Sequence, residues 1–247
     1  EFSNIWTDTK TAEVKANKNG FAVTFEGKHS ATEEFETVLV SIGRKPNSSG
    51  LGLDNTKVKA DDRGFIQIAS NCQTDDANIF AIGDIVGGAM LAHKASHEAK
   101  VAVDAALGKR VAFQPLAIPA VVFTDPEIAW AGITENEAKE QGKAVRVEKF
   151  PWAASGRATT LDRDDGLTKI IIDSESERIL GIGIVGPGAG ELIAEGTLAI
   201  EMGATVADLA LTIHPHPTLS ETVMETAEMF FGHCTHMFKP KKKKKTA

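Results

Sequence analysis

The order of the hydrophobic periodicities along this chain constrains its fold more than any single motif does. Up to residue 44 apolar residues alternate with period two, over residues 11–15, 21–25 and 37–42, and Asn17-Lys18-Asn19-Gly20 forms turn material between the first two segments. Three such segments predict a small antiparallel sheet. Residues 46–64 are rich in Gly, Asn and Asp and read as a loop, followed by strand-like segments at 65–69 and 79–82. From residue 92 to 107 the pattern becomes helical, with Gly108 as its stop. Beyond residue 113, strand patterns at 118–124, 128–131, 144–150, 167–173 and 180–185 come before helical ones at 191–202, 204–210 and 219–230. Thr134-Glu135-Asn136-Glu137 spells a capping box for a further helix closed by Gly142. Strands followed by late helices predict an α+β layer for residues 113–247, in a chain of mixed α+β and α/β character. The strands before residue 83 are too few to complete a doubly wound sheet, so the expectation is that elements upstream complete it.

Composition narrows the function. Hydrophobic residues at 42% and charged residues at 25% are globular values, and no apolar run reaches the 18 residues of a membrane span. The net charge is -7, yet six of the 27 basic residues are lysines crowded into 239–245; the other 21 face 34 acidic residues, a balance of -13. That balance excludes a nucleic-acid binder, and the lysine run reads as a solvated, disordered tail. Cys72 and Cys234 are too far apart for a CxxC redox site and too few for a disulfide scaffold. Residues 1–10 are acidic and polar, not basic then apolar, so the expectation is a reducing, cytoplasmic setting.

Two stretches have the residue types for chemistry. Residues 79–84 are an apolar strand ending at Gly83-Asp84, which sets a carboxylate beside closely approaching backbone at a sheet edge; an ordinary turn is the competing reading. In His214-Pro215-His216-Pro217-Thr218-Leu219-Ser220-Glu221 two prolines stiffen the backbone before a helix that Thr218 can cap. His216 is thereby held on a rigid turn, and Glu221, five residues on, lies near enough to orient its imidazole as a general base. The same four residues 218–221 also spell a capping box, a purely structural use of Glu221. His214, His216, His233, Cys234 and His236 invite a metal reading, but their spacings match no strong zinc pattern, and no metal site is expected. Gly181-Ile182-Gly183-Ile184-Val185-Gly186 spells GxGxxG inside a strand instead of after one, so it reads as a glycine-rich strand.

Six motifs in order carry a resemblance: VLVSIGRKPN at 38–47, IFAIGDIVGGAMLAHKA at 79–95, VVFTDPEIAWAG at 121–132, FPWAASGRA at 150–158, GELIAEGTLAIEMG at 190–203 and HPHPTLSE at 214–221. Together they resemble the C-terminal half of the flavin-dependent pyridine nucleotide-disulfide oxidoreductases. FPWAASGRA favours the lipoamide dehydrogenase branch over glutathione and mercuric reductases. The resemblance implies FAD and NAD as cofactors, with Gly83 and Asp84 at the flavin ribityl chain and Met90, Leu91, Ala92 and His93 along the isoalloxazine. It implies that His216 and Glu221 are the catalytic dyad, that the His216-Pro217 bond is cis, and that the dyad serves the opposite subunit of a homodimer. The implied partner is the lipoyl-bearing acyltransferase of a 2-oxo acid dehydrogenase complex. Residues 1–44 would be the tail of the NAD-binding domain, 45–112 the end of the FAD-binding and central region, and 113–247 the interface (dimerisation) domain. The family's redox-active cysteine pair and nucleotide-binding glycine loops are expected upstream, since Cys72 and Cys234 cannot replace the pair. Glu98-Ala99 stands where the family often has Glu-Gly. A dimerisation module without catalysis and a reductase of another thiol are the alternative expectations.

Overall fold

The computed structural model describes residues 2–237; the lysine run lies outside the described residues. The chain divides into two compact units, Glu1–Lys45 and Pro46–Ala247.

The first unit is an antiparallel three-stranded sheet of β1 (Thr9–Asn17), β2 (Gly20–Gly27) and β3 (Ala31–Phe35), in that order. Asn17 forms the β1–β2 turn by accepting the Asn19 N–H at 2.8 Å, and Gly20 closes it at a φ of 140° that a side chain would not tolerate. The third strand is not the apolar stretch 37–42. It is Ala-Thr-Glu-Glu-Phe, which pairs Phe35 with Phe21 and Glu33 with Val23 at the sheet edge. Charged residues suit an edge strand and hide its period in the sequence. Residues 37–42 run outside any strand among the described residues, with Leu39 89% and Ile42 93% exposed.

In the second unit the expected strands at 65–69 and 79–82 reduce to isolated bridges, Ala60 with Ile66 and Gln73 with Phe80. Neither stretch has a neighbour long enough to extend a ladder. A 3-10 turn, Gly83–Val86, leads towards helix α1 (Ala92–Ala106), which ends at Gly108 as expected, with φ 81°. A five-stranded antiparallel sheet follows in the order β4 (Ala120–Val122), β5 (Ile128–Gly132), β8 (Ile179–Val185), β7 (Leu167–Asp173) and β6 (Val145–Pro151). Helix α2 (Glu135–Glu140) carries the complete capping box on Thr134, and a short helix α3 (Gly156–Thr160) follows β6. Helices α4 (Ala189–Glu201), α5 (Val206–Leu211) and α6 (Glu221–Phe231) close the chain. The Gly-Ile-Gly-Ile-Val-Gly run belongs to β8 and its exit, as the spacing predicts.

One core joins this sheet to the late helices: Ile170, Ile172, Ile182 and Ile184 from the strands meet Ile193, Ile200, Val223 and Ala227 from α4 and α6. Gly196 sets the α4 approach, since a Cβ there would lie 2.5 Å from Ile182. Of the α4 side chains, Ile193 is buried in this core and Leu192 packs against it. Leu198 and Met202 point outward, Met202 76% exposed. An apolar stripe of four is therefore split between inner and outer faces. No helix among the described residues is long and apolar enough to cross a membrane.

Candidate active site

The loop between α5 and α6 places the two candidate catalytic residues together. His216 Nδ1 lies 2.9 Å from Glu221 Oε1, and the Thr218 backbone N–H donates to Glu221 Oε2 at 2.7 Å. One carboxylate thus serves both readings of the sequence: one oxygen orients the imidazole and the other holds the helix entrance. The capping box is only half formed. Ser220, not Thr218, is the N-cap residue, and Thr218 turns its hydroxyl to the Pro215 carbonyl at 2.7 Å and to Ser220 Oγ at 2.8 Å. The His216-Pro217 peptide is cis.

Because a carboxylate accepts, His216 Nδ1 carries the hydrogen of that bond and the neutral ring keeps its lone pair on Nε2. The His216 side chain is 64% exposed, while Glu221 is largely covered. An exposed acceptor nitrogen on an oriented ring is the geometry of a proton-transfer base. Burial raises the Glu221 carboxyl, but the Thr218 N–H and His216 together outweigh it and hold the group below its ordinary value. A depressed folded-state value contributes stability above the unfolded pKa of about 4.3, and that contribution is lost as the pH falls through the folded value. Between pH 6 and pH 3 the melting temperature is therefore expected to fall further for the native chain than for Glu221→Gln; equal slopes would remove the linkage.

The sequence did not disclose the supports around the dyad. His214 donates from Nδ1 to the Thr212 carbonyl at 2.8 Å, and its Nε2 lies 2.6 Å from Glu195 Oε1 on α4, tying the loop to the core. Trp152 Nε1 donates to Thr168 Oγ1 at 2.9 Å, Thr168 and Thr222 hydroxyls meet at 2.8 Å, and Thr222 donates to the Leu219 carbonyl at 2.7 Å. This relay connects the Phe-Pro-Trp motif to the turn that carries Glu221. The His216 ring is stacked against His236 with centroids 6.3 Å apart.

The second group of candidate residues gathers at the start of α1. Gly83 is buried, with φ 78°, and donates its N–H to Glu98 Oε2 at 2.7 Å. Lys94 bridges Glu98 at 2.5 Å and donates to the Gly87 carbonyl at 3.1 Å, so a buried ion pair one helical turn long fixes the 83–87 turn. Lys and Glu four residues apart were the available signal for it. Asp84 is exposed in that turn, Met90 and Leu91 are half-buried, and Ala92 and His93 lie exposed in the first turn of α1. His93 donates to the Pro119 carbonyl at 2.7 Å. Leu91, the N-cap, offers no side-chain acceptor to the first-turn N–H groups of α1. Both cysteines are free: Cys72 is buried, and burial with the Glu98 charge raises its thiol.

Two family models match this arrangement in sequence. The model described as "Pyridine nucleotide-disulphide oxidoreductase, dimerisation domain" covers residues 118–227, and that described as "Pyridine nucleotide-disulphide oxidoreductase" covers residues 3–99. The chain belongs to the pyridine nucleotide-disulphide oxidoreductase family. Within this oxidoreductase family it is 48% identical to the dihydrolipoyl dehydrogenase of Vibrio cholerae over 98% of this chain and 51% of that protein. It is 47% identical to that of Thermus scotoductus over 94% and 51%. The crystal structure of LpdA from Mycobacterium tuberculosis superposes with a TM-score of 0.83 at 30% identity, covering 90% of this chain and 48% of that one. The HOCl-induced flavoprotein disulfide reductase RclA from Escherichia coli gives 0.80 at 25% identity, covering 89% and 50%. The chain spans about half the length of the curated oxidoreductases it matches.

Proposed function

We propose that this chain is the C-terminal portion of an FAD-dependent dihydrolipoyl dehydrogenase that reoxidises protein-bound dihydrolipoyl groups with NAD as acceptor. The observation that carries the reading is the His216–Glu221 contact at 2.9 Å on an exposed, oriented ring. His216 Nε2 takes the proton of the incoming thiol, because the thiolate is the species that attacks a disulfide. Glu221 holds the ring and stabilises its protonated form; His214 and Glu195 hold the loop. In this reading residues 1–44 close the NAD-binding domain, 45–112 the flavin and central region, and 113–247 the interface domain.

The residues at the start of α1 fit a flavin. Gly83 keeps the backbone close, Asp84 offers an exposed carboxylate to polyol hydroxyls, and Met90, Leu91, Ala92 and His93 border the N-terminus of the helix, whose N-cap side chain makes no capping bond. When bound, FAD supplies the two-electron relay between the dithiol and nicotinamide. A lipoyl-bearing acyltransferase of a 2-oxo acid dehydrogenase complex is the substrate partner of this reading, and the cytoplasm its compartment.

The proposed enzyme is a homodimer in which His216 serves the partner's disulfide. The exposed Leu211 and Ile213, the latter 94% exposed, lead directly into the His214–His216 loop and suit a self-complementary interface. Ile213→Glu is expected to weaken self-association at least 10-fold in sedimentation while leaving the circular dichroism spectrum intact; an unchanged dimer would move the interface elsewhere. The reaction is tested on the complete polypeptide by stopped-flow reduction of its flavin with dihydrolipoamide. Fast reduction is expected. Flavin that is reduced by another dithiol and not by dihydrolipoamide would make this a related reductase.

A further inference from the structure

The C-terminal turn of α6 gathers a set of ligating atoms that the dyad does not use. Glu225 and Glu228, three residues apart, share one face of the helix, and Gly232, with φ 79°, reverses the chain so that Cys234 and His236 return over that face. Cys234 Sγ donates to Glu225 Oε2 at 2.9 Å, and His236 Nδ1 bonds the other oxygen of the same carboxylate. One ligand atom from each of Glu225, Glu228 and Cys234 lies within 4.8 Å of the others. Glu225 is 2% exposed, and Glu228 Oε2 is buried with no hydrogen-bond partner among the described residues. A buried carboxylate oxygen without a hydrogen-bond partner carries a desolvation cost that a bound cation would offset.

We propose that Glu225, Glu228 and Cys234 form a binding site for one divalent transition-metal ion of the zinc class, with His236 holding the Glu225 carboxylate in place. A thiolate ligand selects a borderline ion over the oxygen-seeking magnesium and calcium, and the two carboxylates complete the protein's ligands. Zinc bonds of about 2.0 Å to oxygen and about 2.3 Å to sulfur set tetrahedral ligands roughly 3.5 Å apart, so the Cys234–Glu225 contact, 2.9 Å without the ion, widens by about 0.6 Å on binding. The ion replaces the S–H hydrogen of Cys234, released to solvent as a proton, and gives Glu228 Oε2 a partner, while the His236 N–H stays on Glu225. Through the stacked His236 ring the site adjoins His216.

Anaerobic titration of the reduced, full chain with Co²⁺ tests this. One equivalent per chain is expected to produce a thiolate-to-cobalt charge-transfer band, which Zn²⁺ then bleaches. Cys234→Ser is expected to abolish the band, and Glu228→Gln to weaken Co²⁺ binding by at least about 10-fold, the lower bound set by losses of mere outer-shell partners, since a neutral amide replaces a charged ligand. Both variants lie at the helix end and are checked by circular dichroism in chelator; Glu225, being buried, is left unchanged. No band with the native chain at stoichiometric Co²⁺ would overturn the site. So would a band that survives Cys234→Ser, or a Glu228→Gln chain that binds Co²⁺ as tightly as the native one.

Discussion

His216→Gln is expected to slow thiol-driven flavin reduction in the complete polypeptide by about 100 to 10,000-fold, the range that a positioned general base commonly supplies. Flavin content and melting temperature should stay near those of the native protein, because the His216 side chain is 64% exposed and makes no contribution to the core. Glutamine keeps a donor for the Glu221 carboxylate and loses the acceptor nitrogen that takes a proton. Glu221→Gln should do less. A neutral amide has one acceptor oxygen for two donors, the His216 ring and the Thr218 N–H, so the variant loses the charge and one of the two contacts while the base itself remains. If residues 218–221 were only a helix entrance, the pattern would invert: His216→Gln would be silent, and Glu221→Gln would cost roughly 1 kcal/mol of stability with turnover unchanged. Stopped-flow rates normalised to flavin separate the two, and a His216→Gln enzyme reduced at the native rate removes His216 from the mechanism.

Period and punctuation made most of the second unit legible. β7, β8, α1 and the α2 capping box lie where alternation, helical spacing and the glycines at 108 and 142 place them. The strands expected but not formed share one cause. Residues 37–42 and 65–69 have strand composition, but a strand exists only beside a hydrogen-bonding neighbour, and that information is not local. The edge strand β3 is invisible for the opposite reason, since Glu33 and Glu34 suit solvent and carry no period. The His216–Glu221 contact was legible because five residues of separation and two prolines bring the two side chains together locally. The double use of the Glu221 carboxylate was not, because a spacing cannot say which oxygen meets which donor. His214 with Glu195 and Trp152 with Thr168 and Thr222 are contacts across 16 to 54 residues, created by sheet register and helix packing. No pattern within one segment announces them.

Trp152→Ala is expected to destabilise the full chain by about 3 to 5 kcal/mol, the usual cost of truncating a buried aromatic. The indole is fully buried in a slot shaped for it: a Cβ on Gly166 would lie 2.3 Å from the ring and one on Gly186 2.2 Å. Both glycines lack a side chain that could turn into the vacated space, so the cavity stays. The variant also removes the donor to Thr168, at the head of the relay that ends on the Leu219 carbonyl beside Glu221. Trp152→Phe separates the two losses, since it keeps most of the volume and deletes the N–H; it should cost about 1 to 2 kcal/mol. Against a typical total of about 5 to 15 kcal/mol, the alanine variant sits close to the folding threshold and the phenylalanine variant does not. Urea denaturation with a shared m-value measures both. An alanine cost below about 1 kcal/mol would mean that the slot collapses, and equal costs for the two variants would transfer the whole effect from packing to the hydrogen-bond relay.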